Sequence, residues 1–201
     1  MPDALRDRMY GKSEGKAANI VIWVMLILLV VVVLLKAFVF QTVYVSGDSM
    51  DPTLKDGDYL IGNKLSVKFG AYKYGDIVVI DTDEKNLDGT NKKIIKRIIG
   101  LPGDEIDIYN GQVFRNGEAL DESYLPEGTK TVQHSTFMPH KVNEGEVFVL
   151  GDNRLVSKDS RYTEYAALKI SQIFAVIPNW SVKYKGVLTG ITFKTSKSES
   201  L

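Results

Sequence analysis

Residues 75–101 read GDIVVIDTDEKNLDGTNKKIIKRIIGL. Two short runs rich in isoleucine and valine flank a polar stretch of acidic, Asn and Gly residues. Runs of that composition, bounded by Gly-Asp and Asn/Gly clusters, form strands, and the polar stretch between them suits the tip of a hairpin. Working outward, DEIDIYNGQVFRNGEAL (104–120) contains Asn110-Gly111 and Asn116-Gly117 between apolar residues. Asn-Gly supplies the two left-handed positions that a tight hairpin turn requires. EVFVLGDN (146–153) and QIFAVI (172–177) have the character of buried strands, and VLTGITF (187–193) is strand-sized. Helical periodicity is scarce, with one short helix expected at 163–170. There is no internal repeat, and the terminal KTSKSESL is polar and expected to fray. The fold class these patterns predict is mainly β, built of antiparallel sheets.

The 201 residues include 25 Lys+Arg, 25 Asp+Glu, two histidines and no cysteine. That length suits one domain of ordinary size. A formal charge of zero gives no reason to expect a nucleic-acid partner. Without cysteine there are no disulfides, thiolate metal sites or cysteine nucleophiles.

Residues 17–35, AANIVIWVMLILLVVVVLL, contain no charge. At about 1.5 Å per residue such a helix nearly crosses a hydrocarbon core of about 30 Å. Lys36 interrupts the run, as a snorkelling lysine near a helix end does, and the apolar residues resume to Phe40. The run is longer than the apolar core of a cleaved signal peptide, and its exit lacks a small-x-small pattern. Arg6, Arg8, Lys12 and Lys16 precede it, whereas the next basic residue after Lys36 is Lys55. The positive-inside rule therefore predicts a cytoplasmic tail (1–16), a transmembrane anchor (17–40) and a folded part (41–201) on the far face of the membrane.

Three segments in that part carry chemistry. Ser49 lies in SGDSMDPTL (46–54), where Gly47 and Pro52 favour a tight, exposed turn; a turn serine by itself is more often a turn residue than a nucleophile. Lys96 lies among isoleucines in KRIIGLPGD (96–104). If it faces them, desolvation lowers its pKa and it can act as a base; on an edge strand it would face water instead. The third segment is GDNRLVSKDSR (151–161), a turn followed by a loop in which Asp159 and Arg161 can pair.

Together, and in this order behind an N-terminal anchor, these segments resemble the bacterial type I signal peptidases, in the compact form found in Gram-positive bacteria. The resemblance covers about residues 20–161. It implies a coiled β catalytic core with a small β insertion at about 103–146, and hydrolysis of a peptide bond by a serine–lysine dyad. Ser49 would be the nucleophile and Lys96 its general base. Ser157 would hydrogen-bond and orient the lysine, with Asp152, Asp159 and Arg161 supporting the loop. The Ser49 N–H would donate to the oxyanion. Gly47 stands where many members place a hydroxyl as second oxyanion donor, which leaves a backbone N–H, water or no group for that task. The family's aromatic-Gly-Val continuation after the third segment is replaced here by Tyr162-Thr163-Glu164-Tyr165-Ala166.

The substrates implied are secretory preproteins with small residues first and third before the cut. Val45, Met50, Leu54 and Ile95 would line shallow apolar pockets for them. No cofactor or metal is implied, no nucleic acid, and the phospholipid membrane and the preprotein are the expected partners of a monomer. His134 and His140 lack a third ligand at useful spacing, and Lys85 and Lys92 spoil a calcium loop built on Asp81, Asp83 and Asp88. Two other readings compete. A self-cleaving repressor would lack the anchor and carry a DNA-reading helix. An idle accessory protein in surface or pilus assembly would not need to keep both Ser49 and Lys96.

Overall fold

The computed structural model describes residues 3–190, which form two units that divide after Phe40. The first unit is a helix, α1 (Asp3–Phe38). Within it, Lys16–Lys36 is long and apolar enough to cross a membrane, and its described side chains are exposed on every side. A helix apolar all round has no polar face to turn to water. The helix stops at Phe38 and Phe40 opens a strand, so the last residues of the apolar run lie outside it.

The second unit is mainly β. Its first elements are β1 (Phe40–Tyr44), β2 (Tyr59–Asn63), α2 (Lys64–Lys68), β3 (Ile77–Lys85) and β4 (Asn91–Gly100). A small excursion follows, β5 (Glu105–Tyr109), β6 (Gln112–Arg115), β7 (Glu118–Ala119) and β8 (His140–Lys141). The chain returns through β9 (Glu146–Leu150), β10 (Leu168–Lys169) and β11 (Ile173–Ile177), and closes with α3 (Asn179–Lys183) and α4 (Lys185–Gly190). Seven strands form one sheet in the order β1-β2-β11-β3-β4-β9-β10, and four form a second in the order β7-β6-β5-β8. From β2 to β10 the pairings are antiparallel.

The hairpin expected at 75–101 is β3–β4. Its strands continue well into the polar stretch, so that Asn86–Thr90 alone makes the tip, held by Asn86 N–H donating to Thr90 O at 2.8 Å. Asn110 (φ 50°) and Gly111 (φ 83°) turn β5 into β6 with the two positive angles that Asn-Gly supplies.

Two expectations are corrected. Residues 163–170 do not form one helix: a 3-10 turn (Thr163–Tyr165) gives way to β10, because Leu168 pairs with Val147 and extends the sheet, and a second 3-10 turn begins at Ile170. Pairing and burial override the weak local helical preference. Val187–Gly190 belong to α4 rather than to a strand, while the rest of that segment and the polar tail lie outside the described residues.

Phe148 joins the two sheets. Fully buried on β9, it packs with Ile99, Ile106, Val113 and Val142. Gly100 lets them approach, since a Cβ there would lie 2.9 Å from Ile106 Cδ1. Phe148→Ala is expected to cost about 3–5 kcal/mol of stability, measured by urea unfolding of the detergent-solubilised protein.

Candidate active site

Lys96 is carried by β4, an interior strand with β3 on one side and β9 on the other. The edge-strand alternative is thereby excluded. Its cross-strand partner is Val78, and Ile94, Ile98 and Val78 on that face belong to the core. Lys96 is 3% exposed. Burial is the largest influence on its amine and lowers its pKa from 10.5 to about 8, with the Asp159 carboxylate opposing and Lys92 assisting. Lys96 Nζ lies 2.8 Å from Ser49 Oγ.

Ser49 sits in a turn at the end of the segment leaving β1. Leu54 N–H donates to Met50 O at 2.9 Å and closes the turn. Met50 and Leu54 root it in the core with Val43, Val45 and Leu60. Among the described residues no hydrogen bond takes the Ser49 N–H, which leaves it available to an incoming oxygen. Gly47 has φ +90° with open space where a Cβ would stand. Its N–H donates to Asp56 Oδ1 at 2.8 Å, so this backbone group is not free to serve as a second oxyanion donor.

The loop 151–161 closes over the serine turn. A Cβ on Gly151 would lie 2.4 Å from Ser49 O and 2.2 Å from Ser157 Oγ. Only glycine admits that approach. Asn153 clasps the turn twice, its N–H donating to Ser49 O at 3.1 Å and its Nδ2 to Asp48 O at 3.1 Å. Ser157 is buried beside them, yet its Oγ has no hydrogen-bond partner. The contact with Lys96 expected from sequence is therefore not made here: the hydroxyl rests against Gly151, and the lysine amine is engaged by Ser49.

Three arginines fix this loop. Arg161, fully buried, donates through Nε to Asp159 Oδ1 at 2.8 Å and through Nη2 to Asp159 Oδ2 at 2.9 Å. Asp159 Oδ2 also accepts the Gly151 N–H at 3.0 Å. Arg97 grips Asp152 with Nε at 2.8 Å and Nη2 at 2.6 Å, and its guanidinium lies 4.0 Å over the Tyr124 ring. Arg154 donates through Nε to Gly151 O at 3.0 Å, and its other nitrogens reach Glu122, Tyr124 and Thr131. Sequence reasoning missed Gly151, Asn153 and the Arg97 and Arg154 pairings. Their partners are distant in the chain, and only the Gly-Asp-Asn turn signal hinted at the loop.

Beside the dyad runs a cleft of about 580 Å³, walled by residues 41–47 and 92–96, with Met50, Val79 and Phe174 also lining it. Of the residues expected at substrate pockets, Val45, Met50 and Ile95 are among its lining residues, while Leu54 is wholly buried in the core. Tyr165, from the segment that departs from the family pattern, also lines the cleft, and its hydroxyl donates to Glu84. His134 stacks on Tyr162 at 4.3 Å. Among the described residues no group of three or more His, Cys, Asp or Glu is gathered as a metal site would need.

This β fold, with its apolar N-terminal helix and its hydroxyl–amine cleft, goes with a family match. Residues 18–179 match the family described as signal peptidase, peptidase S26, and the chain belongs to that family of serine peptidases. It is 42% identical over 158 residues to signal peptidase I of Bacillus licheniformis, covering 75% of this chain and 82% of that one. It is 40% identical over 161 residues to signal peptidase I P of Bacillus subtilis subsp. natto, covering 76% and 84%. Signal peptidase I S of Bacillus subtilis is 37% identical over 162 residues, covering 76% and 84%.

Gly151→Ala is expected to push the loop off the serine turn. A displacement near 1 Å costs about a hundredfold in rate. A drop of at least that size in kcat, with unfolding cooperativity retained, is the expected outcome.

Proposed function

We propose that the protein removes signal peptides from secretory preproteins, cutting after small-x-small sequences, with Ser49 as nucleophile and Lys96 as general base. The observation that carries this reading is the buried Lys96 amine 2.8 Å from Ser49 Oγ at the side of a peptide-sized cleft. A neutral amine there accepts the hydroxyl proton as Oγ attacks the carbonyl carbon. The free Ser49 N–H is placed for the oxygen that becomes negative. As the peptide C–N bond breaks, the protonated Lys96 returns the proton to the leaving amine, and an acyl-enzyme remains. Water activated by the same amine then hydrolyses the ester. The Arg161–Asp159 and Arg97–Asp152 pairs hold the loop against the serine turn throughout. Val45, Met50 and Ile95 line the cleft with apolar side chains, which suits small substrate side chains.

The membrane enters the same proposal. We infer a cytoplasmic tail at 1–16, an anchor at 17–40 and an extracytoplasmic catalytic domain at 41–201, with a small β insertion at about 103–146. The excess of basic residues before the apolar run supports that orientation. Both reacting groups and the cleft come from one chain, which supports a monomeric enzyme. A preprotein's apolar segment would lie in the bilayer beside the anchor, bringing its cut site near the membrane surface.

Ser49→Ala is expected to abolish cleavage of a small-x-small peptide, because no other group replaces the attacking oxygen. Lys96→Arg is expected to reduce it at least a thousandfold, because a guanidinium stays charged and cannot take the proton. Appreciable turnover by either variant would overturn the assignment. The pH profile follows from the lowered pKa of Lys96. The active form is the neutral amine, so the rate rises with pH through a midpoint near 8 and levels off above it. Steady-state rates measured across that range check this.

A further inference from the structure

In the loop 151–161, Gly151, Asp152, Arg154, Ser157, Asp159, Ser160 and Arg161 are all buried. Between them stand two exposed apolar residues, Leu155 at 85% and Val156 at 61%. Both are held in place from either side. Arg154 O accepts from Arg161 Nη1 at 2.8 Å, and Ser157 N–H donates to Asn153 O at 3.0 Å. The side chains are therefore presented to solvent on a fixed backbone, one residue from the hydroxyl that abuts the serine turn. Val156 lines the same cleft as Ser49 and Lys96.

We propose that Leu155 and Val156 form an apolar lip that contacts the substrate polypeptide beside the scissile bond and selects an apolar side chain at one of the flanking positions. This rests on reading the cleft as the peptidase site. Covering exposed apolar surface is favourable, and a lip already fixed loses little freedom when covered. Its occupant must lie next to the dyad, because Val156 is continuous with the cleft wall there. The polypeptide passing through the cleft meets that requirement. The small residues expected at the first and third positions before the cut leave the position between them, and those after the cut, free to carry a larger side chain to the lip.

The test uses the full chain in detergent and soluble peptides with a small-x-small site. Leu and Ser are exchanged in turn at the second position before the cut and at the first two after it. Val156→Asn and Leu155→Asn alter only exposed side chains, so folding is not at stake. The expected result is that the wild-type protein prefers Leu at one of these positions, as a ratio of kcat/KM. In Val156→Asn that ratio falls about tenfold, the size of one apolar contact in a binding site, while Val156→Ile keeps it. Equal ratios in wild type and Val156→Asn at every position would overturn the proposal. So would unchanged ratios together with loss of activity only on vesicle-embedded preprotein, which would make the lip a lipid contact. If the wild-type protein cuts none of the peptides, the peptidase reading fails with it, and that outcome is distinct from equal ratios.

Discussion

A lysine amine is carried into a site where water is scarce and set against a serine hydroxyl. Burial disfavours the ammonium, and that cost is what brings the base form of Lys96 within reach of ordinary pH. The same cost must be met by the fold, because a charged group that could swing to water would do so. Lys96 cannot, since β4 is covered by a neighbour on each side and its face is filled by Val78, Ile94 and Ile98. The interior hairpin β3–β4 thus serves both as the centre of the large sheet and as the mount for the proposed base.

The serine turn needs a different kind of support, because turns are mobile unless tied down. The loop 151–161 supplies it by backbone contact, with Gly151 against Ser49 O and Asn153 clasping the carbonyls of Asp48 and Ser49. That loop is in turn held by arginines whose charges are out of water. Such pairs gain little as isolated stabilisers, but losing one partner strands the other at a cost of about 3–5 kcal/mol. Arg161 reduces that risk by donating to Asp159 twice and also to the carbonyls of Arg154 and Ser157. Arg154 and Arg97 connect the loop with Glu122 and Tyr124, so the excursion between β4 and β9 also bears on the geometry beside Ser49.

Much of this was legible in the sequence, for identifiable reasons. Asn110-Gly111 and Asn116-Gly117 announce their turns because few other residues tolerate those angles. The β3–β4 hairpin is legible from composition. Whether Lys96 faces the core was not, because sequence patterning does not say whether a strand lies inside a sheet or at its edge. Leu54 is apolar beside the serine, which suits a pocket wall and a core residue equally, and only packing separates them. Gly47 was visible as a departure from the family pattern, but the capture of its N–H by Asp56 depends on a turn closing nine residues later. The helix expected at 163–170 failed because β10 pairs with β9, a contact that local preference cannot reveal.

The central claim is that burial beside Ser49 lets the Lys96 amine lose its proton near pH 8, and it can be read without any turnover. Lysine-selective ¹³C-labelled protein in detergent, with Lys96→Arg used to assign the resonance, gives the titration of that side chain by NMR. The account predicts that the Lys96 resonance titrates with a midpoint near 8. A Lys96 resonance that stays in its protonated position until about pH 10, as a solvated lysine does, would contradict it.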